Sequence, residues 1–166
     1  YQIYEGEDKN GTEHKNLYLT WKVPYADGTL EAVAYDADGN IIENTDGRSS
    51  VTTTGEAAKL QMSADRTEIA ADGKDLSFVT VRVVDRDGNL CPDASHEISF
   101  KVKGEGSYRA GANGNAASLE SFQHPKMKVF SGMMTAIVSS TEQPGKITLE
   151  ATGKGLKKGV LIIESR

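Results

Sequence analysis

The chain has 166 residues, of which 37% are hydrophobic and 26% charged, and its formal net charge is −5. This composition is ordinary for a globular protein and leaves room for one large or two small β domains. The acidic balance, without a basic stripe that carries interleaved aromatic residues, argues against a nucleic-acid partner. No apolar run approaches the ~20 residues of a membrane span, and no secretory signal peptide is visible. The abrupt start at residues 1–4 (YQIY) is expected of a fragment of a longer protein.

Residues 1–55 predict a small β module of about four strands. Its strands alternate apolar and polar side chains, which is the pattern of a half-buried strand. A D-x-D-G-N turn at 36–40 is predicted to join the last two of them as a hairpin. The polar stretch 45–55 is predicted to be a linker, or a last strand that runs into one, so the domain boundary is placed near Gly55. The predicted strands are 17–23, 30–36 and 41–44.

Residues 56–166 predict a second, larger β module of around seven strands. Its clearest strand is 76–84 (LSFVTVRVV), where β-branched residues recur with a period of two. A second D-x-D-G-N turn at 85–89 ends this strand, and a short return strand before Pro92 is predicted to complete a hairpin. The stretch 104–121, rich in Gly, Asn, Ala and Ser, is predicted to be a long loop. Further strands are predicted at 58–64, 68–69, 98–102, 129–130, 133–140, 147–151 and 160–163.

These patterns predict an all-β protein. Residues 56–166 are expected to form an immunoglobulin-like β-sandwich, preceded at 1–55 by a smaller, truncated β-sandwich module. No window carries apolar residues at helical spacing behind a plausible cap. The Cys…Trp…Cys signature of true immunoglobulin domains is absent, so only the architecture is predicted. A truncated module is expected to expose a sheet edge or to borrow a strand.

The repeated acidic turn resembles the start of a metal-binding loop. A calcium loop opens similarly but needs a glutamate at its twelfth position. Counted from Asp36 the twelfth residue is Gly47, and counted from Asp85 it is His96, so neither turn has that glutamate. Both turns are therefore predicted to be hairpin turns without a metal. The single cysteine, Cys91, has no partner for a disulfide and no nearby histidine, so it is predicted to be a small apolar residue in a strand.

The sequence predicts no catalytic residue and no cofactor. Glu120 and Glu142 are the acids outside obvious turns, and neither has a partner that the sequence identifies. No nucleophile-elbow sequence is present. The glycine-rich stretch 111–114 is not followed by a helix and is a poor phosphate cradle. The histidines, all predicted to be solvated, are His14, His96 and His124.

Aromatic side chains are the candidates for contact with a sugar or with another domain. Trp21 is in phase with the apolar positions of its strand and is predicted to pack in the core, whereas Tyr18 lies on the opposite face. Tyr108 and Phe122 flank the long loop of the second module. Tyr18, Tyr108 and Phe122 are therefore predicted contact residues.

Three segments of the sequence resemble the C-terminal region of glycoside hydrolase family 2 enzymes, in particular bacterial β-galactosidases of the gut Bacteroides type. They are residues 19–45, residues 52–106 and residues 141–163. The family's loop pattern G-N-G-D-P, then S-H-E-x-F, corresponds here to ANGNA and SLESF, so that Asn115, Ala116 and Leu119 replace Asp, Pro and His. Within this loop, Asn113 and Asn115 are added to the candidate contacts.

The resemblance implies a non-catalytic pair of accessory β modules, secreted or periplasmic, that packs against and supports a catalytic barrel. The implied partners are the catalytic and other β domains of a parent hydrolase, and carbohydrate is a further candidate. The family's acid/base and nucleophile glutamates map onto no residue of this sequence. A carbohydrate-binding module and an immunoglobulin-like spacer of a bacterial surface adhesin remain alternatives, since the tyrosines favour the first and residues 71–89 resemble repeats of the second.

Overall fold

The computed structural model describes residues 22–35, 38–42 and 50–166. The chain divides into two compact units, residues 1–53 and 54–166. The predicted modules place this division slightly later, after residue 55, and their status as separate folding domains stays a prediction. Among the described residues no helix is long and apolar enough to cross a membrane.

The first unit contains two small antiparallel sheets among its described residues. Strand β1 (Thr29–Glu31) pairs with β4 (Ser50–Thr52), and β2 (Ala34–Tyr35) pairs with β3 (Ile41–Ile42). Within its described residues, the predicted strand 30–36 is thus two strands, because β1 pairs with β4 and β2 pairs with β3. The predicted hairpin is confirmed through the β2–β3 pair, whereas residues 17–21 of the first predicted strand lie outside the described residues.

The second unit is a sandwich of two sheets, and the structure confirms the all-β class. One sheet has four strands in the order β5-β7-β11-β9, and the other has five in the order β10-β8-β12-β13-β6. All pairs are antiparallel except β13–β6, which is parallel. The strands are β5 (Lys59–Ala64), β6 (Glu68–Ile69), β7 (Leu76–Val84), β8 (Glu97–Gly104), β9 (Gly106–Ala112), β10 (Lys126–Lys128), β11 (Met133–Ser140), β12 (Gly145–Gly153) and β13 (Gly159–Ser165).

The core lies between the two sheets. Along β7 the predicted alternation is confirmed up to Val83, since Val79, Val81 and Val83 are fully buried while Arg82 is exposed. Val84, at the end of the strand, is buried although it lies in the outward phase. The five-stranded sheet supplies the facing layer from β8, β12 and β13. The largest fully buried side chains of this sheet are Ile98, Ile147, Leu149 and Ile163, together with Met127 of β10.

The predicted loop 104–121 is wrong in its first half, which forms strand β9. The glycines that suggested a loop are there for close packing: a Cβ on Gly106 would lie 2.7 Å from Ile147 Cγ2, and one on Gly111 would lie 2.4 Å from the Tyr108 hydroxyl. A side chain at either position would collide with the core. Only the stretch after Ala112 connects the sheets irregularly.

Two other predicted strands are shorter than expected. The return strand of the β7 hairpin is one bridge between Val84 and Leu90, because Pro92, which has no N–H, follows closely. The predicted strand 129–130 is preceded by β10, and Phe130 makes only a bridge to Met133.

Candidate functional site

Tyr108 is one of the five predicted contact residues, and its half-buried ring packs against the core. It stacks on Phe100 with ring centroids 5.5 Å apart and an angle of 20° between the planes. Its hydroxyl is buried without a hydrogen-bond partner, and burial raises its pKa. Because the ring joins β9 to the facing sheet, its main role is packing, which the sequence did not predict.

Asn113 and Asn115 hold the loop that follows β9. The Asn113 side chain donates from Nδ2 to the Lys128 carbonyl (2.9 Å) and accepts through Oδ1 from the Asn115 amide (3.0 Å). Asn115 Oδ1 accepts in turn from the Ala117 amide (3.0 Å). Both amide groups are therefore committed to fixing the loop against β10, a local use that is typical of asparagine in turns.

Phe122 is the most accessible of the predicted contact residues that the structure describes. Its side chain is 59% exposed, although its carbonyl accepts from the Gly111 amide (2.7 Å) and so fixes the loop to β9. Leu119 on the same loop is completely exposed. Tyr18 lies outside the described residues. Contact of any of these side chains with a sugar or another domain stays a prediction.

The turn after β7 is built on the carboxylate of Asp85, which is 3% exposed. Its Oδ1 accepts from the amides of Gly88 and Asn89 (2.8 Å each), which closes the turn. Its Oδ2 accepts from the Gly55 amide (2.9 Å) and from Asn89 Nδ2 (3.1 Å). The predicted turn is confirmed, and its carboxylate also ties the first residues of the second unit to the end of β7.

These hydrogen bonds lower the pKa of Asp85 from 3.8 to about 2, with the Gly55 amide as the largest cause. A carboxyl group with a lowered folded-state pKa stabilises the fold above its unfolded pKa, and this stabilisation is lost as the pH falls. We therefore expect stability to drop between about pH 4 and about pH 2. Asp85→Asn should lower the Tm at pH 7 by several degrees and make this acid-dependent loss smaller.

Thermal unfolding followed by circular dichroism at several pH values measures both effects. Asp87→Asn is the matched control, because Asp87 is in the same turn, is exposed and makes no side-chain hydrogen bond to a described residue. An equal loss of stability in both variants at pH 7 would contradict the role assigned to Asp85.

Other carboxylates of the second unit also bind main-chain amides. Asp75 accepts from the amides of Ala70 (2.8 Å) and Leu76 (2.9 Å), and Asp72 accepts from those of Lys74 and Asp75. These amide bonds lower the pKa of both carboxyl groups. A glycosidase needs one carboxylic acid with a raised pKa. Among the described residues, every carboxyl group whose pKa is shifted has a lowered pKa, not a raised one.

A cleft of about 310 Å³ lies beside the start of the second unit. Cys91 and His96 are in its wall, and burial is the main reason why the Cys91 thiol has a raised pKa. His96 is only partly solvated, contrary to the prediction, since its Nδ1 is buried without a hydrogen-bond partner. No group of three or more His, Cys, Asp or Glu among the described residues is arranged to hold a metal ion.

The sequence reasoning did not identify the exposed apolar residues on the second unit's four-stranded sheet. Phe78 is 43% exposed and lies directly opposite Ile137 on β11. The sequence alone shows that Phe78 is unusual, because it occupies an outward position of β7 and the next outward positions are the polar residues Thr80 and Arg82. A single apolar side chain at an outward position is common on protein surfaces and does not by itself define a contact site.

The two sheets and their shared core give residues 54–166 the architecture of an immunoglobulin-like β-sandwich. Residues 60–161 match the family model described as glycoside hydrolase family 2 C-terminal domain 5. The chain therefore belongs to glycoside hydrolase family 2, as its sequence features suggested. Residues 5–43 match a second family model, described as a domain of unknown function.

Similar proteins are several times longer than this chain. The β-galactosidase BoGH2A of Bacteroides ovatus is 38% identical over 167 aligned residues, which are 99% of this chain and 19% of that protein. A putative β-glucuronidase of Formosa agariphila is 31% identical over 66% of this chain and 10% of that protein. A solved family 2 member from Bacteroides cellulosilyticus has a TM-score of 0.80 and 34% identity, covering 88% of this chain and 18% of its own. This chain thus spans about a fifth or less of each.

Proposed function

We propose that this chain is a non-catalytic C-terminal accessory region of a larger, β-galactosidase-like family 2 glycoside hydrolase. Its function is to pack against the catalytic domain and to stabilise it. The observation that carries the proposal is the match of residues 60–161 to a C-terminal domain of the family. The lengths of the relatives support the proposal, because this chain aligns with less than a fifth of each and the remainder is long enough for a separate catalytic domain.

The chemistry of the described carboxylates supports a structural role. Asp85, Asp75 and Asp72 all accept hydrogen bonds from main-chain amides, so each is held as an anion that cannot donate a proton at neutral pH. Glu150 is also held as an anion, by Lys103 at 2.7 Å. A glycosidase pair instead requires two carboxyl groups with divergent pKa values around an enclosed site.

The proposed location is the periplasm or the cell exterior, and the sugar of the parent enzyme is proposed to be a β-galactoside. The names of the relatives include both a β-galactosidase and a putative β-glucuronidase. The residues that select the sugar are therefore proposed to lie in the parent enzyme outside this region.

Two assays test the proposed function. The purified 166-residue chain should release no chromophore from nitrophenyl β-galactoside or β-glucuronide. The parent hydrolase without this segment should have a lower Tm than the intact enzyme. Turnover that co-purifies with the chain at constant specific activity would contradict the non-catalytic role. An unchanged Tm after the deletion would contradict the supporting role.

A further inference from the structure

The outward side of the five-stranded sheet is basic along β8, β10 and β12. The inward positions of these strands are apolar, so the positions that alternate with them point to solvent. Lys154 and Lys158, in the connection between β12 and β13, lie on the same side, since Lys154 lines a cleft with Ser99 and the charge of Lys158 acts on Glu150. We define the basic face by eight charged residues: Lys101, Lys103, Lys126, Lys128, Lys154, Lys158, Glu97 and Glu150.

The basic face carries an excess of positive charge, although the whole chain has a net charge of −5. It has six lysines and two glutamates. A third glutamate, Glu120, is at its margin, where the carboxylate accepts from the Lys128 amide (3.1 Å). Six lysines against three glutamates still leave three positive charges in excess. A surface of one dominant sign attracts ligands of the opposite sign.

Two of the six lysines are paired within the described part of the chain. Lys103 binds Glu150 (2.7 Å) and Lys126 binds Glu97 (2.8 Å). These pairs use both glutamates of the basic face. The remaining lysines form no ion pair with a described residue; they are Lys101, Lys128, Lys154 and Lys158.

The charges of the basic face act together at Glu150 on β12. The hydrogen bond from Lys103 is the largest cause of its lowered pKa, and the charges of Lys158 and Lys101 lower it further. Positive charges therefore surround this carboxylate in larger number than it neutralises. Like charges that are held close together on a sheet repel one another, so a bound anion relieves this repulsion.

A cleft of about 580 Å³ lies at one end of the basic face. Its wall contains the side chains of Lys126, Lys154, Glu97, Ser99 and Thr152. The hydroxyl of Ser99 makes no hydrogen bond to a described residue, and that of Thr152 makes one long bond (3.4 Å) to the Ser99 carbonyl. Ammonium, carboxylate and hydroxyl groups thus meet in a cleft whose volume is within the ~300–1,000 Å³ of ligand sites.

This mixture of groups indicates the class of ligand. Sugar hydroxyls both donate and accept hydrogen bonds, so they match a wall that offers a carboxylate, hydroxyls and ammonium groups. A carboxylate or sulfate group on the same sugar neutralises the excess positive charge through charge-assisted hydrogen bonds. A sugar polymer with repeated oxyanions matches both the cleft and the lysines beside it.

Two other polyanions fit the basic face less well. Nucleic acid binds through aromatic platforms for its bases, and none of the outward residues of β8, β10 and β12 is aromatic. An anionic bilayer is a broad surface that does not enter a cleft, and the carboxylate of Glu97 in the cleft wall repels its headgroups.

We propose that the basic face is a binding site for an acidic polysaccharide, a polymer whose sugars carry carboxylate or sulfate groups. One sugar occupies the cleft that Lys126 and Lys154 line, and a neighbouring oxyanion binds Lys101 on β8. This binding function goes beyond the proposed accessory role and does not depend on it, because the site lies wholly within this chain.

Affinity electrophoresis of the 166-residue chain tests the proposal with three polymers. Polygalacturonate supplies carboxylates, dextran sulfate supplies sulfates, and dextran is the uncharged control. We expect retardation by at least one acidic polymer and none by dextran, and the stronger of the two acidic polymers identifies the preferred oxyanion. The retardation should weaken as salt is added, because salt screens exposed charges.

Paired substitutions with equal charge distinguish the site from general attraction. Lys101→Gln with Lys154→Gln removes two charges of the basic face without breaking an ion pair. Arg82→Gln with Arg109→Gln removes the same charge from exposed arginines of the four-stranded sheet. The lysine variant should bind about fivefold or more weakly than the unmodified chain, and the arginine variant within about twofold of it.

Thr152→Val tests the cleft itself, because it removes a hydroxyl of the wall and no charge. Binding should weaken by at least about twofold, the effect of one lost hydrogen bond. Circular dichroism checks that every variant keeps the fold. Lys154→Gln alone replaces the double lysine variant if that variant unfolds.

Three results would overturn the assignment. Absence of retardation by both acidic polymers at low salt would show that the basic face is only solvated. Equal weakening by the lysine and arginine pairs would show attraction to the net charge without a site. Sedimentation with phosphatidylserine vesicles that the lysine pair abolishes, without retardation by either polymer, would assign the face to a membrane surface. The turnover and deletion assays measure none of these quantities, so the proposed function stands or fails separately.

Discussion

Replacing Gly104 with alanine is expected to lower the stability of the second unit by roughly 3 kcal/mol or more. Gly104 ends β8 with a φ of +86°, and a Cβ there would lie 1.9 Å from the Lys146 carbonyl oxygen on β12. Both the left-handed backbone and the clash with main chain oppose a side chain. Neither can be relieved by a rotamer change, because Gly104 pairs with Ile147 and the Lys146 carbonyl accepts from the Glu105 amide (3.2 Å), which holds both main chains in place.

Gly155→Ala separates the two causes. Gly155 has a similar φ of +78°, but a Cβ there would meet nothing within 4 Å. Its substitution should therefore cost only the backbone strain, about 1–2 kcal/mol. Urea unfolding monitored by circular dichroism measures both values. Equal losses would show that the approach of Lys146 to Gly104 is not limiting.

The second large effect is expected at Ile163 on β13. This side chain is fully buried between the sheets, so Ile163→Ala removes apolar contacts and leaves a cavity, at a cost of about 2–5 kcal/mol. Such a loss is a large part of the 5–15 kcal/mol that stabilises a typical domain. Ile162, the preceding residue, points to the other side and is 44% exposed. Ile162→Ala should cost less than about 1 kcal/mol.

Urea unfolding of the two isoleucine variants gives this comparison directly, because strand, residue type and substitution are the same. A loss at Ile162 as large as that at Ile163 would mean that β13 packs on both sides. Within the isolated chain, that result would contradict the arrangement of the core described above.

Strand alternation was sufficient to predict most of the sandwich. The valines of β7 and the apolar residues of β8, β11, β12 and β13 recur with a period of two, and a half-buried sheet imposes that period. Strand β9 was missed because its sequence, GSYRAGA, carries glycines where the core needs small volume. From sequence, such glycines cannot be distinguished from those that permit a turn.

The candidate site was less predictable, because its properties depend on contacts between distant residues. Asp85 was correctly placed in a turn, but its bond to the Gly55 amide joins residues 30 positions apart. Tyr108 was expected near a loop surface, and only the facing Phe100 shows that it belongs to the core. That the four strands of one sheet carry no carboxylate became visible only once the strand order was known.

The parallel pair β13–β6 has a consequence for synthesis of the chain. It joins residues 68–69 to residues 164–165, so the five-stranded sheet is completed only after almost the whole second unit has been translated. At about 5–20 residues per second, β6 waits roughly 5–20 s for its neighbour. During this time the inner valines of β7 lack their complete facing layer, and apolar surface that is exposed in this way during folding is prone to aggregation.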